Sequence, residues 1–413
     1  MKIVVFTLGC KVNECESDSL IFGLKQLGHE VSDKLVPADL YIVNTCAITA
    51  DAEKKSRQTS SRINRISPNA KIIYTGCATE KDPKPFISKP NAKLVTGVFN
   101  KGQILKMLDD TGVSMAEHSL DYEELPYAKT LKDRTLIKVQ DGCNNFCSYC
   151  IVPYLRGRSR SRKIDSIVAE VKEVQTDEIV INGINLSSYD DNGKSLTDLM
   201  KALSFTDKRI RLGSLEARVI TDEFLTALKG LKNYAPHFHL SLQSGANAVL
   251  KKMNRRYTRE EFIGKADLIR SYFENAGITT DIIAGFPTET EDDFFDTLSI
   301  VDRVEFSDIH PFIFSPREGT VAYKMQDLPH EIKKERLDKL LVKKENCKKN
   351  FIAKNLGKTL SVLFEEEKDD YFEGYTENYI RAYLKASDKP KGLVKVKIIS
   401  AFKDGGLVEI IKE

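Results

Sequence analysis

Three cysteines fall within eight residues in the stretch Cys143-Asn144-Asn145-Phe146-Cys147-Ser148-Tyr149-Cys150, directly after the apolar alternating run Leu136-Ile137-Lys138-Val139. A strand that ends in a tight Cys-x3-Cys-x2-Cys loop can point three thiolates at one centre. Soft thiolates select zinc, copper(I) or iron-sulfur clusters. Tetrahedral structural zinc takes four ligands, and no fourth cysteine stands nearby. The alternative is a cubane with three irons held by protein and one open for chemistry. On the loop alone, zinc and disulfide readings stay open beside it.

A second set of cysteines is spread over the first eighty residues. Lys2 to Phe6, Leu40 to Val43 and Lys71 to Tyr74 are β-branched and aromatic runs that predict buried strands. Helices are expected between them, over Glu14 to Leu27 and Asp51 to Ile66. Strand-helix alternation of this kind argues for a parallel α/β sheet. Each strand is followed by a cysteine, namely Cys10, Cys46 and Cys77. Ligands bind at the carboxyl edge of such sheets, so three residues far apart in sequence are expected to converge there. The bland reading is three small buried hydrophobes, since free cysteine is often buried. Cys15, one turn into the first helix, and Cys347, in a charged helical run, fit neither set and are read as non-ligands.

The elements that must hold these groups divide the 413 residues into three parts. Residues 1–128 form the first domain, closed by a strand near Ala92 to Val95 and a helix over Lys101 to Leu108. Glu80 to Pro90 reads as an exposed loop, and Asp109 to Lys132 as a mobile linker poor in large hydrophobes. Residues 129–355 hold six strand-helix repeats, with strands near 135–140, 178–183, 209–214, 236–242, 278–284 and 306–312. Six βα units suggest a partial or full barrel with its chemistry at the carboxyl ends of the strands. A long charged helix, Leu328 to Asn355, follows, with Ile332, Leu337, Leu340, Leu341 and Phe351 as its buried stripe and Gly357 as its stop. Residues 356–413 contain five short strands, which predict a small closed β-barrel.

Composition excludes little beyond this. The net charge of +3 is nearly neutral, so nucleic-acid contact rests on local patches. Eight cysteines in so long a chain are not a disulfide scaffold. No run approaches the roughly 18 apolar residues of a membrane span, and the N-terminus lacks a signal-peptide pattern. A cytoplasmic location without membrane attachment is the expectation.

Two triads of cysteines in two domains resemble the radical S-adenosylmethionine methylthiotransferases, and the resemblance covers essentially the whole chain. Thr7-Leu8-Gly9-Cys10-Lys11-Val12-Asn13, Asn44-Thr45-Cys46 and Gly76-Cys77-Ala78 match that family's N-terminal motifs, and the Cys143/Cys147/Cys150 loop matches its central one. The resemblance implies two [4Fe-4S] clusters, each with one open iron, and S-adenosyl-L-methionine cleaved reductively to a 5'-deoxyadenosyl radical. It implies that Tyr149 packs on the adenine and that Gly183 and Asn185 lie at the methionine amine. The acidic residue usual there is missing, so backbone carbonyls must serve. Asp281 and Gly285 match the segment lining the adenine and ribose, while Glu216 and Gln243 are candidates to hydrogen-bond cofactor or substrate. No side chain is expected to act as an acid-base catalyst, because the radical and sulfur chemistry belongs to the clusters.

Arg156, Arg158, Arg160 and Arg162, at spacing two, read as a basic strip beside the loop, and Lys251, Lys252, Arg255, Arg256 and Arg259 as a second patch. Solvated charge is the ordinary explanation; contact with tRNA phosphates or the cofactor carboxylate is the functional one. The terminal barrel resembles the TRAM RNA-binding module, with Tyr371, Phe372, Tyr375, Tyr379 and Tyr383 as candidates to stack bases. Its charge does not favour RNA, since acids slightly outnumber bases there. The motif forms look most like the branch that acts on threonylcarbamoyladenosine beside the tRNA anticodon. The partners then implied are the tRNA anticodon stem-loop, an electron donor such as flavodoxin or ferredoxin, and a sulfur source. Radical methylation of a small molecule, and a non-enzymatic metal-bearing RNA-binding protein, are the competing classes.

Overall fold

The computed structural model describes residues 1–127 and 132–411. The first domain is a six-stranded, all-parallel sheet in the spatial order 30–32, 2–7, 40–45, 71–76, 92–96, 112–114. Ile3, Val5, Ile42 and Ile73 bury on one face, and Val4, Tyr41, Val43, Ile72 and Tyr74 on the other. Covering both faces explains why these strands read as continuous apolar runs. The order reverses between Lys2–Thr7 and Leu40–Thr45. Such a switch point leaves a crevice at the carboxyl ends, and Cys10 and Cys46 follow these two strands.

Three expectations for this domain need correction. Glu80 to Pro90 is not a loop: the helices Cys77–Lys81 and Lys84–Ile87 occupy it, because Phe86 buries against Tyr74 with ring centroids 5.3 Å apart. The helix expected over Lys101 to Leu108 is a 3-10 turn, Lys101–Lys106. The described residues of the supposed mobile linker are pinned. Gly112–Ser114 is the sixth strand. The Tyr122 hydroxyl donates to the Lys138 carbonyl (2.7 Å), and Glu123 accepts from the amides of Lys101 (3.1 Å) and Gly102 (2.8 Å). The boundary placed at 128–129 lies outside the described residues.

In the central domain the parallel strands follow one another in chain order: 134–141, 178–183, 209–212 continuing as 214–215, 237–240, 277–284 and 308–313. Sequential order is the mark of a barrel rather than a doubly wound sheet. Among the described residues, Asp308–Ile313 pairs only with Gly277–Ala284, so the barrel is open. The helix His330–Asn355 packs beside that last strand. Its buried stripe includes Lys333, Arg336, Leu340 and Cys347, whereas Leu341 is exposed. Arg336 is drawn in by Glu289 (2.6 Å), a cause that apolar periodicity does not reveal.

Residues 359–410 close a five-stranded barrel. It is docked by two arginines of the central domain. Arg209 donates to the carbonyls of Ser361 (2.8 Å) and Tyr375 (3.3 Å), and Arg211 to that of Thr376 (2.9 Å). Both arginines are buried against Glu178.

Candidate active site

Cys10 is the N-cap of the helix Lys11–Gln26, and the residue before it, Gly9, has φ +103°. A Cβ at Gly9 would lie 2.8 Å from Cys46 Sγ, so glycine lets the first loop close onto the second. Asn13 holds the two loops together, its side-chain amide donating to the carbonyls of Leu8 (2.8 Å) and Thr45 (3.0 Å). Cys77 opens the short helix after the next strand and is buried. Burial pushes the Cys46 thiol up to about 11, and the neighbouring thiols of Cys77 and Cys10 add to the rise. Arg156 joins Cys77 to the other two, donating to its Sγ (3.4 Å) and to the Asn13 side-chain oxygen (2.7 Å).

In the second triad the chain turns at Gly142 (φ +69°), where a Cβ would lie 2.0 Å from the Arg158 carbonyl. The Cys143 amide donates to the Gly157 carbonyl (3.1 Å), and the Cys150 amide to that of Cys147 (2.9 Å). Burial pushes the Cys150 thiol up to about 12, with Cys147 and Cys143 adding to it. Among the described residues no three Cys, His, Asp or Glu side chains close round a single metal ion. A cubane asks for less, since each thiolate takes its own iron.

Each triad has one arginine aimed at a sulfur. Arg156 Nε donates to Cys77 Sγ (3.4 Å), and Arg255 Nη1 to Cys147 Sγ (3.4 Å). Asn185 adds a donor to Cys143 Sγ (3.7 Å) while also donating to Glu216 (3.0 Å). These donors suit thiolate ligands and would disfavour neutral thiols packed as hydrophobes. The residues present fit an anionic cluster at both places.

The arginine strip is corrected by this arrangement. Arg156, Arg160 and Arg162 are buried, and only Arg158 of the four is exposed. Arg156 bonds Glu16 of the first domain (2.9 Å) and Asp141 of the central one (3.1 Å). Lys138 bridges the same two carboxylates (2.8 and 2.6 Å), Lys101 pairs with Glu16, and Arg160 with Asp141 (3.0 Å). Arg162 instead pairs with Glu170 and Glu124. Four cations thus meet two carboxylates beside Cys77. Despite burial, Arg156, Lys101 and Lys138 hold the Glu16 carboxyl well below its usual range. The surplus positive charge complements a cluster bearing three thiolates. Arg255 likewise is turned to the loop rather than to solvent, anchored on the Ser241 carbonyl (2.8 Å). Arg256 is exposed, and Arg259 bonds the Gly245 carbonyl (3.2 Å) and Ser299 (2.7 Å).

A cavity of about 390 Å³ opens between the first triad and the ends of the central strands, lined by Cys10, Lys11, Gly183, His239, Asp281 and Tyr379 among others. Gln243 sits beside it in the left-handed region (φ +72°), its backbone bonded on both sides to the strand carrying Asp281. Tyr149 packs with the apolar group of Phe286, Phe314 and Met253. Gly285 is turned away from the cavity, and a Cβ there would meet Lys333 at 2.3 Å. Asp281 accepts from His239 (3.2 Å), which the motif contained without its role being visible.

Tyr379, expected from the sequence to stack bases, stands instead in the wall of this cavity. It reaches from the C-terminal barrel at φ +74°, stacked on His237 (4.1 Å, 7°) and Tyr375 (4.6 Å, 17°). Phe372 and Tyr383 are buried in their own barrel. Of the five aromatics expected to stack bases, Tyr371 alone is neither buried nor engaged with the central domain.

Residues 137–301 match the family described as the Radical SAM superfamily, and residues 2–97 the one described as Uncharacterized protein family UPF0004. The threonylcarbamoyladenosine tRNA methylthiotransferase MtaB of Bacillus subtilis is 34% identical, over 100% of this chain and 98% of its own. The Thermotoga maritima protein of that name is 38% identical, over 92% and 91%. A tRNA-2-methylthio-N(6)-dimethylallyladenosine synthase of a Thermoanaerobacter species is 35% identical, over 87% and 81%. Among solved structures, the radical S-adenosylmethionine methyltransferase TsrM of Kitasatospora setae aligns with a TM-score of 0.55 at 13% identity, covering 76% of this chain and 73% of that one. That likeness shows the shared fold.

Proposed function

This chain belongs to the radical S-adenosylmethionine methylthiotransferases, in the threonylcarbamoyladenosine branch, and we propose that it inserts a methylthio group at carbon 2 of that nucleoside beside the tRNA anticodon. Its cofactors are two [4Fe-4S] clusters and S-adenosyl-L-methionine, which when bound would supply reductive sulfonium cleavage and the sulfur chemistry. An unactivated aromatic carbon–hydrogen bond has no leaving group, so cofactor-borne radical chemistry is needed. The protein's part is to hold, space and shield these groups.

Cys143, Cys147 and Cys150 hold the cluster that meets S-adenosylmethionine, with Asn185 and Glu216 beside it and Tyr149 as the apolar wall. Cys10, Cys46 and Cys77 hold the auxiliary cluster. Gly183 and Asp281 line the cavity beside Cys10, and Gln243 is bonded through its backbone to the strand carrying Asp281. Asp141 precedes the loop triad by two residues, and Arg156 follows it by six, so the buried Glu16–Arg156–Asp141 network ties both triads to one frame. That network is the observation that carries the reading, because sulfur transfer demands a fixed separation of two redox centres. Arg158, exposed and stacked on Phe146 (4.7 Å), and the exposed Arg256 are the candidates for phosphate contact, and the reductive step calls for an electron donor such as a flavodoxin or ferredoxin. The reaction also needs a source of the inserted sulfur. No helix of the described residues is long and apolar enough to cross a membrane, and the proposed action on tRNA supports a cytoplasmic location.

The test is anaerobic. Purified protein carrying both clusters is given S-adenosylmethionine, sulfide, a reductant and an anticodon stem-loop bearing threonylcarbamoyladenosine. A methylthio mass increase is expected. Formation of 5'-deoxyadenosine without any RNA product would contradict the substrate.

A further inference from the structure

The substrate assigned above carries a carboxylate on the threonyl group attached to N6 of adenine. On the base, N6, N1 and C2 share one edge, so the carboxylate must be held near the point of sulfur transfer. A desolvated carboxylate needs a cation there. Most cations around the cavity are already engaged. Arg156, Lys101 and Lys138 are bound to Glu16, and Arg211 to Glu178. Burial keeps His237 neutral, its pKa well below the usual value.

Lys11 differs from all of these. It lines the cavity beside Cys10 and opens the helix Lys11–Gln26. Among the described residues no carboxylate pairs with it. Its ammonium lies over the Tyr379 ring, 5.9 Å from the centroid. The cavity's acidic group, Asp281, is paired to His239, and it repels a second carboxylate from that wall. Among the described residues, an anion entering the cavity therefore meets one free positive charge, on the auxiliary-triad side. The helix N-terminus behind Lys11 adds to it.

We infer that Lys11 is the specificity-determining residue, its ammonium pairing with the carboxylate of the threonylcarbamoyl group while the barrel's Tyr379 steadies it. The inference rests on the substrate reading above. It also gives the C-terminal barrel a part in substrate choice, through the wall that Tyr379 supplies.

The experiment measures binding of the full, cluster-loaded protein to three anticodon stem-loops by fluorescence anisotropy. They bear threonylcarbamoyladenosine, its methyl ester, or isopentenyladenosine. Wild type should prefer the free carboxylate over both others, and Lys11→Gln should lose that preference through an affinity drop of about 10- to 100-fold for the first RNA alone. Lys11→Arg should restore most of it, and iron content should match wild type in both variants. A Lys11→Gln protein that keeps the preference overturns the assignment and leaves the substrate reading standing. Equal loss on all three RNAs makes Lys11 a backbone-phosphate contact and also overturns it. A wild type with no preference overturns both the assignment and the reading.

Discussion

The two cysteine triads are built by opposite means. The loop triad needs eight consecutive residues and one sharp turn at Gly142, so its geometry is local. The auxiliary triad exists only when three parallel strands are in register and the loops after them meet, with Gly9 against Cys46. The first costs little chain entropy to assemble; the second draws on the whole first domain. On the proposed roles, a site that cleaves a cofactor can be a short loop. The site proposed to present sulfur is made from a folded sheet and tied to the first by buried charge.

Cysteine variants should separate the two most strongly. Cys143→Ala should abolish 5'-deoxyadenosine formation, with activity at least about a thousandfold down, a loss of about 4 kcal/mol of transition-state stabilisation. Cys77→Ala should still cleave S-adenosylmethionine and yield no methylthio product. Equal loss of cleavage in both would erase the distinction. Next in size is the lock. Arg156→Met strands Glu16 and Asp141 with fewer cations, and should cost about 3–5 kcal/mol, seen as a lower thermal midpoint. Iron should be lost first from the auxiliary site. Unaltered stability and iron content would show that the network does not hold the triads.

A third variant probes the barrel's docking. Burial works against ionisation of Glu178, but Arg211 and Arg209 hold its carboxyl down to about 2, against an ordinary 4.5. A depressed carboxyl stabilises the fold above its unfolded value, and that stability fades as pH falls from about 4.5 towards 2. The contribution is on the order of 3 kcal/mol. Glu178→Gln should therefore flatten the acid limb of a stability–pH curve, measured by denaturant unfolding between pH 5 and pH 3. An identical acid limb would remove Glu178 from the account. The smallest effect belongs to the surface. Arg158→Ala should weaken tRNA binding modestly and lower the salt slope by about one, while Arg160→Ala should act through stability instead.

Much of this was legible in the sequence. Apolar runs such as Ile3-Val4-Val5 and Ile72-Ile73-Tyr74 marked the parallel sheet, and the spacing of Cys143, Cys147 and Cys150 marked the loop. The arginine strip misled, because alternating arginines look alike in sequence whether solvent or Glu16, Asp141 and Glu170 receive them. Those carboxylates come from distant helices and strands, and only tertiary structure pairs them. Tyr379 stood out only as an aromatic able to stack bases, not as part of the cavity wall. Its place in the cavity wall depends on a left-handed turn in one domain and a histidine in another. Phe86 and Tyr122 show the same limit, being single aromatics that tie down stretches whose average composition reads as loop.

The most direct measurement is mass spectrometry of nucleosides from digested tRNA of cells lacking the gene, with and without the gene restored. The account predicts that 2-methylthio-threonylcarbamoyladenosine disappears and returns, while its unmethylthiolated precursor accumulates in the deletion. Unchanged levels of every 2-methylthio nucleoside, in cells with no second such enzyme, would contradict it.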